Sequence, residues 1–176
     1  MKRYVPILIG IVALCAVLYV GSTQTGEDKV VVEAEETTEL TSFKGTVTRA
    51  IRDGEAMLQY SFDMPLTATA TVERDGALVK VTDADALLAA VYMSYEGARN
   101  YSPAQYIANV LVPNVSSVTD AGTVTTGLYE WTVVESEWTT WHVARATEDG
   151  KWLFVVESKK ADAEKVLPLL ESISGN

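Results

Sequence analysis

Residues 138–157 read WTTWHVARATEDGKWLFVVE, two apolar runs on either side of an Asp149-Gly150 pair. Asp-Gly favours hairpin turns because both residues tolerate the positive φ angles that tight antiparallel connections need. In each run apolar side chains fall on both faces of the strand, as Trp141 and Ala144 do in the first. A strand that is apolar on both faces is covered on both sides. This stretch therefore predicts a central hairpin in a sheet that lies between two other layers.

Two more Asp-Gly pairs, at 53–54 and 75–76, extend the same pattern. Residues 87–96 predict a further strand. Their apolar residues alternate as in a strand, whereas at helical spacing the apolar residues would surround the axis and leave no polar face. Together these features predict an α+β fold with an antiparallel sheet of about six to eight strands built from hairpins. The predicted strands cover 43–51, 55–62, 67–73, 77–82, 87–96, 123–134, 138–147 and 151–157.

Two segments have the pattern of amphipathic helices. Ser102 can cap the third amide of a helix while Gln105 reaches back to the cap, and Pro113 is expected to end that helix. The second helix is predicted over about residues 162–172, with Pro168 on its solvent face bending it around the core. Its expected apolar face consists of Ala163, Val166, Leu167, Leu170 and Ile173. The sheet is therefore expected to lie between helices.

The amino terminus predicts a membrane segment. Lys2 and Arg3 precede an uncharged apolar run, and acidic residues follow it, so residues 1–22 are expected to form a signal anchor that crosses the membrane through residues 4–20. The positive-inside rule places the amino terminus in the cytoplasm and the remaining chain outside it. A cleaved secretory signal is the alternative, and it would also export the rest of the chain.

Composition limits what the exported part does. Residues 23–40 are rich in acids and predict a flexible stalk, and residues 41–176 are long enough for one globular domain. All 24 acidic residues follow the apolar run, against 12 of the 14 basic ones, which argues against nucleic acid as a partner. The single cysteine, Cys15, lies inside the apolar run, so the domain is held together by an ordinary core without a disulfide.

Residues 60–65 read YSFDMP, and the strand pattern of residues 152–156 is followed by the helical pattern of residues 163–173, which contains Pro168. The first stretch resembles the aromatic opening of PsbP-like domains, and the other two resemble their final strand and helix, including the proline. The resemblance covers about residues 60–173 and implies an antiparallel sheet between helices, an α/β/α sandwich. It also implies an accessory or binding role, and it carries over no catalytic residue.

Aromatic residues are concentrated in the second half of the chain. All four tryptophans fall within 22 residues, with the only histidine, His142, among them: Trp131, Trp138, Trp141 and Trp152. Exposed coplanar rings would form a stacking platform for sugars, so Trp131, Trp138, Trp141 and His142 are the candidate ligand contacts. A tryptophan-rich core is the plainer explanation, since strand parity places Trp138 and Trp141 on opposite faces.

No grouping in the sequence predicts catalysis. A triad that uses His142 needs a serine and a carboxylate, yet no Gly-x-Ser-x-Gly elbow accompanies it. The expectation is no cofactor, no metal and no enzyme activity. The sequence predicts an accessory or binding protein of the cell envelope with a protein or polymer partner. The alternatives are a carbohydrate- or peptidoglycan-binding module and a hydrolase that uses His142.

Overall fold

The computed structural model describes residues 39–97, 99–115 and 117–176. The predicted membrane segment and the stalk up to residue 38 lie outside these residues. In the described part of the chain, no helix has the length and apolar character needed to cross a bilayer. The strands are β1 Leu40–Ile51, β2 Gly54–Pro65, β3 Thr69–Glu73, β4 Leu78–Asp83, β5 Ala86–Tyr95, β6 Thr119–Thr126, β7 Tyr129–Glu135, β8 Thr139–Arg145, β9 Trp152–Lys159 and β10 Ser174–Gly175.

A seven-stranded antiparallel sheet forms the centre of the fold. Its strand order is β3-β4-β5-β9-β8-β7-β6, so the hairpin of β8 and β9 is central, as the sequence predicts. Both strands are buried along almost their whole length because apolar side chains occupy both of their faces. The antiparallel α+β prediction is confirmed.

The first hairpin does not join this sheet. Strands β1 and β2 pair over twelve residues each and, with β10, form a separate three-stranded sheet. The sequence prediction of a single sheet built from all the hairpins is wrong here. The reason lies in β2, where Leu58, Tyr60 and Phe62 are buried on one face. This face packs on a face of the large sheet, so β1 and β2 form a second layer and do not pair with its edge strands.

Each face of the large sheet has its own apolar cluster. The larger cluster joins β1 and β2 to the sheet and to the carboxyl-terminal helix, and it includes Trp131, Trp152 and Phe154. The smaller cluster lies on the opposite face, where Ile107 packs near Trp141. Burying apolar surface on both faces contributes roughly 25 cal/mol per Å² to folding. The sheet is thus covered on both sides, as predicted.

Two helical segments cover the faces of the sheet. Helix α1, Pro103–Tyr106, starts at Ser102 with the predicted capping box: Gln105 N donates to Ser102 Oγ at 3.2 Å, and Ser102 N donates to Gln105 Oε1 at 2.9 Å. It continues as a π-helical turn, Ile107–Leu111, and a 3₁₀ turn, Val112–Asn114. The helical path therefore runs past Pro113, one residue beyond the predicted end.

The carboxyl-terminal helix differs from its predicted form. Residues Lys160–Val166 form a 3₁₀ helix, and only α2, Leu167–Ser172, is α-helical. A 3₁₀ helix has three residues per turn, so the apolar face shifts in phase relative to an α-helix. Leu169 is buried in place of Leu167, which is exposed. Pro168 sits in the first turn of α2, where its missing N–H breaks no helical hydrogen bond.

The predicted strand over residues 123–134 is two strands. Strands β6 and β7 form a hairpin whose turn lies at Gly127 and Leu128, with Gly127 at φ 59°. A second turn of this kind joins β4 to β5, between the predicted strands 77–82 and 87–96, through Ala84 and Asp85, which both have positive φ, 47° and 65°. Neither turn carries an Asp-Gly pair, so the sequence signal used for the other hairpins is missing at both.

Candidate functional site

The structure separates the tryptophans that the sequence groups together. Trp131 and Trp152 lie in the larger cluster and Trp141 in the smaller one, all buried. Trp138 alone among the four is exposed, at 73%, in the turn before β8. Trp138 and Trp141 therefore share no surface, in agreement with strand parity. Rings buried to this extent do not stack on a ligand unless the core opens.

His142 is also buried, with 6% of its surface exposed. Its ring lies edge-on to Trp131, with ring centroids 6.4 Å apart. Burial lowers the pKa of His142 to about 4, and the nearby carboxylate of Glu135 opposes this shift only in part. The imidazole is consequently neutral at pH 7, in a position with little access to solvent.

Four buried polar atoms in the described part of the chain have no protein hydrogen-bond partner: Trp131 Nε1, Thr140 Oγ1, His142 Nδ1 and Ser158 Oγ. Thr140 pairs directly with Ser158 across β8 and β9, and His142 lies two residues along from Thr140 on the same face. The hydroxyl of Ser158 accordingly lies near the histidine, but no cleft described below includes either residue. A hydrolase that uses His142 would need a route to this buried position.

A larger concave surface lies elsewhere, at one end of the fold. This main cleft has a volume of about 890 Å³ and opens between the tip of the β1–β2 hairpin and the end of the large sheet. Its walls are the hairpin tip, the β6–β7 and β8–β9 turns and the carboxyl terminus. Three of its lining side chains are large, apolar and exposed: Ile51, Met57 and Leu128.

Charged groups line the opposite wall of the main cleft. In the β8–β9 turn, Asp149 accepts hydrogen bonds from Thr147 Oγ1 at 2.7 Å and Lys151 N at 3.1 Å, and Lys151 Nζ lies 2.9 Å from Asp149 Oδ2. The bond from Lys151 is the main reason that the pKa of Asp149 falls to about 2. The side chains of the turn thus bond to one another, beside Arg145 and Glu148.

Tyr129 fixes the floor of the main cleft. Its hydroxyl accepts a hydrogen bond from Gly175 N at 3.0 Å, and its ring packs edge-on against both Trp131 and Phe154. Burial raises the pKa of the Tyr129 phenol, with the Gly175 bond acting in the opposite direction. The carboxyl terminus is tied down further by Asn176, whose backbone exchanges two hydrogen bonds with Gln59.

A second cleft of about 500 Å³ lies on the other side of the Tyr95 and Trp152 side chains, which line both clefts. We call it the arginine cleft, after Arg49, Arg74 and Arg99 in its lining. In neither cleft, nor elsewhere among the described residues, do three or more His, Cys, Asp or Glu side chains form a group that could hold a metal ion.

The sequence pattern did not lead to a prediction of the residues that line the main cleft, although one signal for them was present. Met57 is the large apolar residue on the otherwise polar face of β2, between Glu55 and Gln59. Leu128 lies in a turn that the sequence did not reveal. No family model matches this chain, and no curated protein matches it in sequence.

Proposed function

We propose that this chain is a single-pass membrane protein whose extracytoplasmic domain binds an envelope partner through the main cleft, without catalysing a reaction. The observation that carries the proposal is the placement of Ile51, Met57 and Leu128, three exposed apolar side chains, around one cleft with charged groups on its far wall. Apolar side chains beside charged groups are typical of protein interfaces, which combine a dry centre with a polar rim.

The partner that fits this surface is a protein segment with apolar and charged side chains. The main cleft is open and large enough for several side chains, and its walls are held by backbone pairing of β2 with β10. A surface that is formed before binding loses little conformational entropy when a partner docks. The accessory role implied by the PsbP-like resemblance is consistent with this proposal, and so is the sheet covered on both faces.

Site-specific photo-cross-linking in the cells that make the protein tests the binding site. A photoreactive phenylalanine at Leu128 or Met57 should give one discrete adduct, and Ile51→Asp should remove it. Leu66 and Val72 are matched controls, because both are exposed apolar residues outside the lining of the main cleft. Adducts of equal yield at the control positions, or none at Leu128 and Met57, would refute binding through this cleft.

Protease accessibility tests the location. With the leader intact, the full chain should sediment with membranes, and protease added from the extracytoplasmic side should cut the predicted stalk, residues 23–40, and release the domain from the membrane. Recovery of the full-length chain in the soluble fraction, or an uncut chain in protease-treated intact cells, would refute the membrane-anchored arrangement.

A carbohydrate-binding role is the second candidate, and the observation in its favour is the exposed ring of Trp138. Exposed tryptophan rings stack on sugar faces. In this case Trp138→Ala would abolish binding to peptidoglycan fragments, while Met57→Asp would leave it unchanged.

A further inference from the structure

The arginine cleft brings together three cationic side chains from separate parts of the chain. Arg49 belongs to β1, Arg74 to the turn between β3 and β4, and Arg99 to the loop after β5. The whole chain carries a formal charge of −10. Three positive side chains at one place repel one another locally even in so acidic a protein, and a bound negative group offsets that repulsion.

Among the residues that the structure describes, no carboxylate forms an ion pair with these arginines. The four ion pairs between described residues all use lysines. Two acids also line the cleft, Asp75 and Glu96, which leaves a formal excess of one positive charge. Glu96 is buried, and its Oε1 accepts a hydrogen bond from Ser94 Oγ at 2.8 Å.

The position of Arg74 is built into the fold. Arg74 and Asp75 have φ angles of 52° and 54°, which residues other than Gly, Asn and Asp rarely adopt. The turn is held against the first hairpin, since Tyr60 donates a hydrogen bond to Gly76 O at 3.0 Å. A Cβ on Gly76 would lie 2.3 Å from Thr46 O, so the close approach also requires glycine. The hairpin and the turn thereby hold Arg74 on the same cleft as Arg49.

We infer that the arginine cleft binds a phosphate group. Guanidinium groups donate paired hydrogen bonds to phosphate oxygens, and arginine is favoured over lysine where this planar geometry matters. The cleft lining also offers the hydroxyl of Thr48. The phosphate belongs either to a free monoester or to the diester headgroup of an anionic phospholipid, and both share the oxygens that arginines bind. This inference goes beyond the proposed partner binding and uses different residues.

Isothermal titration calorimetry of the full chain in neutral detergent tests the inference. The probes are inorganic phosphate, glycerol phosphate as the monoester, and glycerophosphoglycerol as the lipid headgroup diester. Saturable binding of phosphate and glycerol phosphate alone would assign the site to a free monoester. Saturable binding of glycerophosphoglycerol would assign it to a lipid headgroup.

The variants are chosen so that folding is preserved. Arg74→Asn removes the charge and suits the positive φ, so it should fold at least as well as the parent and weaken binding about tenfold or more. Arg49→Gln should act in the same direction. Arg52→Glu is the control, because Arg52 lies in the β1–β2 turn outside the cleft lining. No saturable binding of any probe, or an equal loss in Arg52→Glu, would overturn the inference without affecting the cross-linking test of the main cleft.

Discussion

The ring of Tyr95 packs edge-on against the indole of Trp152, with centroids 5.0 Å apart and ring planes at 62°. The two side chains line both the main cleft and the arginine cleft. Trp152 is the first residue of β9 and Tyr95 the last of β5, and they pair directly across the sheet. One aromatic pair at the end of the central strands thus forms a wall between the two candidate binding surfaces.

Gly97 leaves room for this arrangement. A Cβ at residue 97 would lie 2.1 Å from the hydroxyl oxygen of Tyr95, so Gly97→Ala should displace the ring. We expect Gly97→Ala to lower the free energy of unfolding by about 1–2 kcal/mol, the usual result of overpacking. In a Tyr95→Ala background the same change should have little effect, because the clash is gone. Urea denaturation of the four proteins measures the coupling, and equal effects in both backgrounds would contradict the contact.

Replacing a buried tryptophan should lower the free energy of unfolding much more than replacing the exposed one. Trp141→Ala removes a buried ring between β8 and α1, and should lower the free energy of unfolding by about 3 kcal/mol or more. Trp138→Ala removes an exposed ring, and should change it by less than about 0.5 kcal/mol. Thermal and urea unfolding check both values. A large loss of unfolding free energy in Trp138→Ala would mean that this ring packs against the protein in solution.

His142 should make stability depend on pH. Its pKa is about 4 in the folded chain and ordinarily near 6.5, so the unfolded chain binds a proton at a higher pH than the folded chain does. Stability should therefore fall as the pH drops from about 6.5 towards 4, by about 3 kcal/mol in total, and this loss should level off below pH 4.

His142→Gln is the test, because glutamine does not titrate. The loss of stability between pH 6.5 and pH 4 should be smaller in the variant than in the parent, whatever the stability of the variant at pH 7. The low pKa of Asp149 affects stability at lower pH, where the carboxylate gains its proton, so the two windows are separate. Identical pH profiles for parent and variant would contradict the burial of a neutral His142.

The parts of the fold that depend on local interactions could be predicted from the sequence, and the parts that depend on distant contacts could not. The β8–β9 hairpin and the cap at Ser102 follow from neighbouring residues, and both are confirmed. The separate first sheet depends on how β2 packs against residues far along the chain, which no local pattern shows. The two clefts could not be predicted from the sequence for the same reason. Met57 and Leu128 are 71 positions apart in the sequence and meet only because the hairpin tip lies beside the β6–β7 turn.

The turn between β4 and β5 offers a route to higher stability. Ala84 has a positive φ of 47°, which costs about 1 kcal/mol for a residue with a Cβ. Replacing Ala84 and Asp85 by Asn and Gly supplies the residues that this turn favours, and should raise the free energy of unfolding by roughly 1 kcal/mol. The same replacement of Arg52 and Asp53 is the control, because neither has a positive φ. Equal gains at both turns would contradict the assigned conformation, as would no gain at Ala84.

Fluorine NMR of the full chain labelled with 5-fluorotryptophan tests the binding surface most directly, because the four tryptophans report on four places. Resonances are assigned with single Trp→Phe variants, and solubilised envelope from the cells that make the protein is then added. We expect a shift or broadening of the Trp152 resonance that is lost in Met57→Asp, while the Trp138 resonance stays unchanged. An unchanged Trp152 resonance, whether or not that of Trp138 moves, would contradict it.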